Sequence, residues 1–345
     1  MSIIKNPLWL LVFLALTIFS MATAIATATP PVLVWPTPNP AFSNGANIEG
    51  FVQAAASGNP RSGLYGCVRN GGKKFHEGLD LFGLEFDENN EVKDSVFSVL
   101  SGRVALINKI PAYSDYGRYV VIAHQQEGVS FYTLYAHLKS VDSRLTLNSE
   151  IKGGSRIGRM GRSAGSYTIP KQRAHLHFEI GLKLSRNFQN WYNRKSFESP
   201  NWHGQWNGMN LLGVDPLDFF RSIQSKKVSS FPEYLKSLPV FVKVQVHYSR
   251  IPSFVRENRF CLVKKRLNKD QIAGWSISFS KYGIPVRWEP LSASEMKVGT
   301  KQNIQIISYN SSLKIEPCCA LFQIKDQSIK PSKLLLSHLE KLLAD

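Results

Sequence analysis

The sequence lacks the cysteine pairs that hold a structural zinc ion. It has four cysteines, Cys67, Cys261, Cys318 and Cys319, and none of them belongs to a C-x-x-C motif. In an oxidising compartment, Cys261 is a candidate partner of Cys318 or Cys319. With that pairing Cys67 would be an unpaired thiol, but the sequence alone does not determine the connectivity.

Other common catalytic signatures are also absent. No H-E-x-x-H segment occurs, so the helix-borne zinc site of the zincins is excluded. The glycines between positions 158 and 165 match neither the P-loop nor the dinucleotide fingerprint, and no strand-to-helix context follows them. These glycines therefore indicate tight turns. The sequence also lacks a clear internal repeat.

Acidic side chains are scarce relative to basic ones. Lys and Arg total 42 against 25 Asp and Glu, which gives a formal net charge of +17. A positive field of this size favours encounters with anionic polymers, and both cell-wall polymers and nucleic acid are anionic. A basic surface that only maintains solubility is an equally good interpretation. Because the basic residues are spread along the chain, and because the N-terminal residues described next predict export, we expect anionic wall polymers rather than nucleic acid.

Long apolar runs are confined to the N-terminus. Lys5 precedes an apolar run over residues 8–19, and small residues follow, so residues 1–28 are predicted to be a signal peptide. Cleavage is expected after Ala24 or Ala28. The run is too short to span a bilayer comfortably, and an uncleaved leader is the only membrane contact indicated. Either interpretation places the bulk of the chain in the periplasm, the cell envelope or the medium.

Short strands dominate the pattern after the leader. Residues 29–63 are rich in Pro, Asn, Gly and Ser and predict an irregular lead-in. A first domain is predicted at residues 64–225, with no long helical periodicity and a mainly antiparallel β fold. Four runs rich in Val, Ile, Phe and Tyr predict its strands, over residues 95–108, 117–124, 130–138 and 175–180.

A long loop and a second domain are predicted to follow. The loop over residues 191–213 carries Trp191, Trp202 and Trp206, whose packing is the favoured interpretation over stacking on sugar rings. A short helix is predicted over residues 216–223. Residues 232–345 predict a second β-rich domain of unknown role, and leucines at helical spacing predict a final helix over residues 332–343.

Two segments pair side chains that bind metals. His76 and Asp80 are four positions apart, and they share a face whether the segment is helical or extended. His175 and His177 are two apart in a segment with strand composition, so both rings point to the same side. Two sets of paired donors in one exported domain indicate a metal site rather than four structural residues.

A catalytic zinc ion has three protein ligands and an open position for water. His76, Asp80 and one of His175 and His177 would supply that set. The remaining histidines, including His137 near a strand end, would orient the water, accept its proton or stabilise the oxyanion. The other histidines are interpreted as structural, surface or packing residues: His124, His203, His247 and His338.

Taken together, these motifs resemble the lysostaphin and LytM type of zinc metallopeptidase. The family's H-x-x-x-D motif stands at His76 to Asp80, its Tyr-x-His-Leu strand at residues 135–138, and its H-x-H motif at His175 to His177. Residues 153–163 also resemble the turn and loop before the H-x-H strand. The resemblance covers residues 64–180, and the chain departs from the minimal family domain after about residue 190.

The resemblance implies one zinc ion per chain, held by His76, Asp80 and His177. It implies His137 and His175 as catalytic partners. We favour His175 as proton acceptor and His137 as stabiliser, although the sequence does not decide between the two assignments. The implied fold is a sheet-based groove open at both ends, and the implied activity is hydrolysis of peptidoglycan cross-links or stem peptides. Some relatives only activate other wall enzymes, so a non-catalytic wall-binding scaffold or activator is the alternative. A secreted protease of Gly-rich proteins is a third reading.

Overall fold

The structure, a computed structural model, describes residues 33–297 and 304–344. The predicted signal peptide at residues 1–28, its cleavage after Ala24 or Ala28, and the start of the lead-in lie outside the described residues. None of the helices within them combines the length and the apolar character that crossing a bilayer requires.

Short strands form most of the regular structure, as the sequence predicts. The strands are β1 (Gly66–Arg69), β2 (Lys74–His76), β3 (Leu79–Phe82), β4 (Ser95–Phe97), β5 (Gly102–Asn108), β6 (Tyr119–Gln126), β7 (Val129–Ala136), β8 (Ser140–Val141), β9 (Glu150–Ile151), β10 (Arg156–Arg159), β11 (His175–Lys183), β12 (Leu211–Gly213), β13 (Val240–His247), β14 (Gly274–Ser280), β15 (Pro285–Leu291), β16 (Ile304–Tyr309), β17 (Phe322–Lys325) and β18 (Ser328–Pro331). The α-helices are α1 (Phe188–Arg194), α2 (Pro216–Gln224), α3 (Phe231–Ser237), α4 (Ser253–Glu257) and α5 (Lys333–Leu342).

The main sheet is antiparallel and has seven strands. Its order is β12-β11-β7-β6-β5-β9, and β3 pairs with β11 beside β12. In this register His177 lies opposite Asp80 on β3 and opposite Ala136 on β7. Strand β11, which pairs with both β3 and β7, therefore brings the three sequence motifs to the same level of the sheet.

Both faces of the main sheet are buried. Val120, Ile122 and Tyr135 pack on the larger core, whereas Val121 and Leu134 pack in a smaller cluster on the opposite face. Burying each such side chain contributes about 1.5 to 3 kcal/mol. The alternation of two apolar faces explains why β6 and β7 are apolar almost throughout, as expected for strands covered on both sides.

The C-terminal part is β-rich and ends in a helix, as predicted. A four-stranded antiparallel sheet has the order β15-β14-β13-β16, and β17 and β18 form a hairpin. The Ser332 side chain caps α5 by accepting a hydrogen bond from the Leu335 amide. The described residues belong to one compact unit, and the division between residues 64–225 and 232–345 stays a prediction.

One predicted strand is divided in the structure, and one predicted helix is found where expected. The run over residues 95–108 forms two strands, β4 and β5, which belong to different sheets. The helix predicted over residues 216–223 is α2, where Asp215 caps the first turn and Pro216 occupies its first position.

The expected cysteine pairing is wrong. Cys67 and Cys318 form the disulfide, with their Cα atoms 5.9 Å apart, and Cys261 and Cys319 are free buried thiols. Cys261 is sequestered in the core, where its thiol donates a hydrogen bond to the Asn258 carbonyl. The crosslink instead joins β1 to the turn over residues 317–319, a contact between segments 251 residues apart.

Candidate metal centre

Three donor side chains converge at the ends of β2, β3 and β11. His76 Nε2 lies 3.0 Å from His177 Nδ1 and 3.1 Å from Asp80 Oδ1, and the last two atoms are 3.0 Å apart. All three residues are buried. Ligands bound tetrahedrally to zinc at 2.0–2.1 Å are separated by roughly 3.3 Å, so the spacing and the two-nitrogen, one-carboxylate set fit a zinc ion.

A close approach between β3 and β11 requires glycine at position 78. A Cβ atom on Gly78 would lie 2.4 Å from the Phe178 carbonyl oxygen and 3.0 Å from His177 Cε1. No side chain fits that space without movement of the backbone. The glycine midway between His76 and Asp80 therefore lets the two strands bring their donors together.

Hydrogen bonds on the far side of each ring fix how the two histidines face the centre. His76 Nδ1 lies 2.7 Å from the Leu64 carbonyl oxygen, and His177 Nε2 lies 3.0 Å from Glu179 Oε1. Both partners are acceptors, so each ring donates outward in its neutral form. The lone pairs of His76 Nε2 and His177 Nδ1 are then directed at the centre, as a metal ligand requires.

The Asp80 carboxylate is held ionised. Burial alone would raise its pKa, but the neighbouring His76, His175 and His177 outweigh burial and hold the pKa well below its usual range. Arg69 Nη2 forms an ion pair with Oδ2, the oxygen that does not face the histidines. This pair leaves Oδ1 directed at the metal centre.

His137 and His175 stand next to the three donors. Their ring centroids are 4.8 Å apart, and His175 Nε2 lies 3.6 Å from Asp80 Oδ1. Each ring donates its Nδ1–H to a backbone carbonyl, of Ser163 for His137 and of Arg173 for His175. Burial lowers the pKa of both rings. Both are therefore neutral at pH 7, with a free Nε2 that can accept a proton.

The backbone at His137 adopts a strained conformation next to the metal centre. Its φ is 59°, in the left-handed region that residues other than glycine seldom adopt. β7 ends at Ala136, and the turn at His137 is fixed by a hydrogen bond from its amide to the Tyr116 carbonyl. The strain is consistent with a side chain placed for function.

The structure thus brings together all five residues singled out in the sequence. Sequence reasoning missed Arg69 and Glu179, although Glu179 lies two residues after His177 and so shares its strand face. Tyr116 and Tyr132 donate hydrogen bonds to the Glu179 carboxylate at 2.5 and 2.7 Å. Burial, followed by the Glu179 charge, raises the pKa of both phenols well above the usual value, so both stay protonated.

An open cavity of about 730 Å³ lies over the metal centre. Tyr113, Tyr167 and Arg173 line it beside the site histidines. The long loop over residues 191–213 forms one wall of this cavity, through His203 and Asn207 among others. His203 is therefore a cavity residue as well as a packing residue, and its Nε2 bonds the Tyr113 carbonyl oxygen.

The remaining predicted side chains have structural surroundings. Both ring nitrogens of His124 are bonded inside the protein, to Ser101 and Thr133. Trp191 is 5% exposed and packs within the protein, as predicted. Trp202 is 53% exposed, and it stacks on Tyr113 with ring centroids 4.5 Å apart.

A buried group of two histidines and one aspartate in a mainly antiparallel β fold could hold a metal ion. The family model of peptidase family M23 matches residues 74–189, about a third of the chain. The resemblance to the lysostaphin and LytM type is therefore confirmed for this part of the chain, which matches the M23 family model.

Several solved structures overlap with parts of the chain. A zinc-containing peptidase from Vibrio cholerae is 28% identical over 31% of this chain and 26% of its own, with a TM-score of 0.23. The catalytic domain of lysostaphin from Staphylococcus simulans is 19% identical over 51% of this chain and 96% of its own, with a TM-score of 0.31. Csd3 from Helicobacter pylori is 20% identical over 45% of this chain and 33% of its own, with a TM-score of 0.25.

The chain spans well under half of the Vibrio and Helicobacter proteins. No curated protein matches it.

Proposed function

We propose that this chain is an exported zinc-dependent endopeptidase that hydrolyses peptide cross-links or stem peptides of bacterial peptidoglycan. The observation that carries the proposal is the triangle of His76 Nε2, Asp80 Oδ1 and His177 Nδ1, with sides of 3.0 to 3.1 Å. Two neutral histidines beside this triangle, at the base of an open cavity, are the further parts that peptide hydrolysis needs.

The proposed site residues divide the chemistry between them. His76, Asp80 and His177 would hold the zinc ion, which when bound acidifies a water molecule and polarises the scissile carbonyl. His175 Nε2 would accept the proton of the attacking water and pass it to the leaving amine. His137 would stabilise the oxyanion, and for this role the ring would have to gain a proton on Nε2, which is free in its neutral form.

The neutral forms of His137 and His175 have the same polarity, because each ring donates from Nδ1 to a carbonyl oxygen. The geometry therefore does not distinguish their roles, and the assignment of proton acceptor to His175 is part of the proposal. The Cys67–Cys318 disulfide supports an oxidising location outside the cytoplasm. The net charge of +17 supports contact with anionic wall polymers.

The test is digestion of purified peptidoglycan, followed by release of new amino groups and mass analysis of the muropeptides. We expect zinc-dependent release by the parent protein and none by His177→Ala. The matched control is His247→Ala, because His247 lies on β13 and outside the cavity. Equal release by His177→Ala would contradict the proposal. Wall pelleting without release by the zinc-loaded parent would instead support a non-catalytic scaffold or activator.

A further inference from the structure

Three of the four cysteines lie together where β1 meets the turn over residues 317–319. Cys67 and Cys318 form the disulfide, and the free Cys319 Sγ lies 3.4 Å from Cys67 Sγ. All three sulfur atoms lie within 4.8 Å of one another. Because two of them are bonded to each other, this group offers one free thiol rather than three metal ligands. A thiol in contact with a disulfide sulfur is the arrangement from which thiol–disulfide exchange proceeds.

We propose that Cys67 has two interchangeable partners, Cys318 and Cys319, related by intramolecular thiol–disulfide exchange. In this step the Cys319 thiolate attacks Cys67 Sγ, so that the Cys67–Cys319 bond forms as the Cys67–Cys318 bond breaks. Cys318 leaves as a thiolate and takes up the proton that Cys319 has lost. The number of disulfides is unchanged, and neither an oxidant nor a reductant is consumed.

Geometry and burial make this exchange slow at neutral pH. Attack requires the three sulfur atoms to lie in line. With Cys319 Sγ 3.4 Å from Cys67 Sγ and an ordinary disulfide bond of ~2.05 Å, this arrangement would place Cys319 Sγ about 5.4 Å from Cys318 Sγ. In the structure these two sulfur atoms are no more than 4.8 Å apart, so the three atoms are not in line and the Cys319 side chain must first rotate. Burial, followed by the nearby Glu316, raises the pKa of the Cys319 thiol to about 11. The thiolate fraction, and with it the rate, therefore rises about tenfold per pH unit below that value.

The exchange keeps the metal centre anchored and moves the free thiol towards the surface. Cys67 is two residues from Arg69, the ion-pair partner of Asp80, and it lies opposite Phe75 beside His76 in the β1–β2 hairpin. Either crosslink holds this hairpin to the C-terminal part. Cys318 is half-buried whereas Cys319 is buried, so the exchange turns a sequestered thiol into one that small thiols and oxidants can reach.

Disulfide mapping of the native parent protein tests the exchange directly. The protein would be incubated at pH 7, 8 and 9, quenched in acid, and digested with pepsin, since acid stops further exchange. Fragmentation between positions 318 and 319 in the mass spectrometer identifies the partner of Cys67. We expect both linkages, with one final ratio reached about tenfold faster per pH unit. Cys67–Cys318 alone at every time and pH would overturn the proposal.

Thiol counts of variants give a second test that does not depend on enzyme activity. The parent has two free thiols, Cys261 and Cys319. Cys318→Ser should have one, because Cys319 takes over the crosslink to Cys67, and its thermal midpoint should match that of Cys319→Ser. Cys261→Ser, the control, should show both linkages. Three free thiols in Cys318→Ser would mean that Cys319 cannot replace Cys318, and would contradict the proposal.

Discussion

Removing the charge of Glu179 tests how a buried carboxylate prepares His177 to bind a metal ion. Glu179 Oε1 lies 3.0 Å from His177 Nε2, and Tyr116 and Tyr132 donate to the same carboxylate. Glu179→Gln keeps the shape and an acceptor for the Nε2–H but removes the negative charge. Partners of this kind contribute about 10- to 100-fold to metal affinity, or roughly 1.4 to 2.7 kcal/mol.

The size of the loss depends on pH, because the same carboxylate raises the pKa of His177. Burial lowers that pKa, but the Asp80 and Glu179 carboxylates outweigh burial and raise it to about 9. At pH 7, about two units lower, zinc must displace a proton from His177, which reduces the apparent affinity of the parent about 100-fold. Glu179→Gln lowers the pKa and weakens this competition. At pH 7, weaker competition from the proton therefore offsets part of the zinc affinity that Glu179→Gln loses. At pH 9 there is little competition to relieve, and almost the full loss of zinc affinity is observed.

Zinc affinity would be measured by competition with a chelator of known affinity at pH 7 and pH 9. The control is Glu150→Gln, since Glu150 is exposed and pairs with the exposed Arg103. We expect a loss of about 10- to 100-fold at pH 9, a clearly smaller loss at pH 7, and no change in the control. Unchanged affinity at pH 9, or losses of equal size at both pH values, would refute the reasoning.

Other side chains of the site give further tests. His175→Ala and His137→Ala should each lower kcat by about 10²- to 10⁴-fold with zinc content unchanged, and loss of zinc from either would contradict their separation from the ligands. Zinc binding at pH 7 should release about one proton, because the pKa of His177 is raised to about 9. Calorimetry in buffers of different ionisation enthalpy measures the number of protons released, and a value of zero would contradict the prediction. Gly78→Ala should lower the free energy of unfolding by about 1 to 3 kcal/mol in a denaturant titration, because its Cβ would lie 2.4 Å from a carbonyl oxygen of β11. Unchanged stability would show that the strands can separate at this point.

The sequence predicted the positions of the donor residues because strand alternation is a local rule. His175 and His177 share a face through the period of two, and neither depends on distant contacts for that. Local rules cannot predict that His76 and Asp80 meet β11. That contact was predicted from the order of the three motifs, which resembles that of the family. The β-rich architecture followed in the same way from runs of Val, Ile, Phe and Tyr.

Contacts between distant segments could not be predicted in this way. The Cys67–Cys318 disulfide joins positions 251 residues apart, and no spacing rule distinguishes Cys318 from Cys319 as a partner. Arg69 precedes the H-x-x-x-D motif by seven residues, and only the β1–β2 hairpin carries its side chain to Asp80. The split of residues 95–108 into β4 and β5 likewise depends on which neighbouring strand each half meets.

Anomalous X-ray scattering at the zinc edge, from crystals of the zinc-loaded protein, would show directly whether His76, Asp80 and His177 hold a metal ion. We expect one strong peak per chain, within about 2.0–2.2 Å of His76 Nε2, Asp80 Oδ1 and His177 Nδ1. Absence of a peak there, or a peak bound only by other side chains, would contradict this expectation.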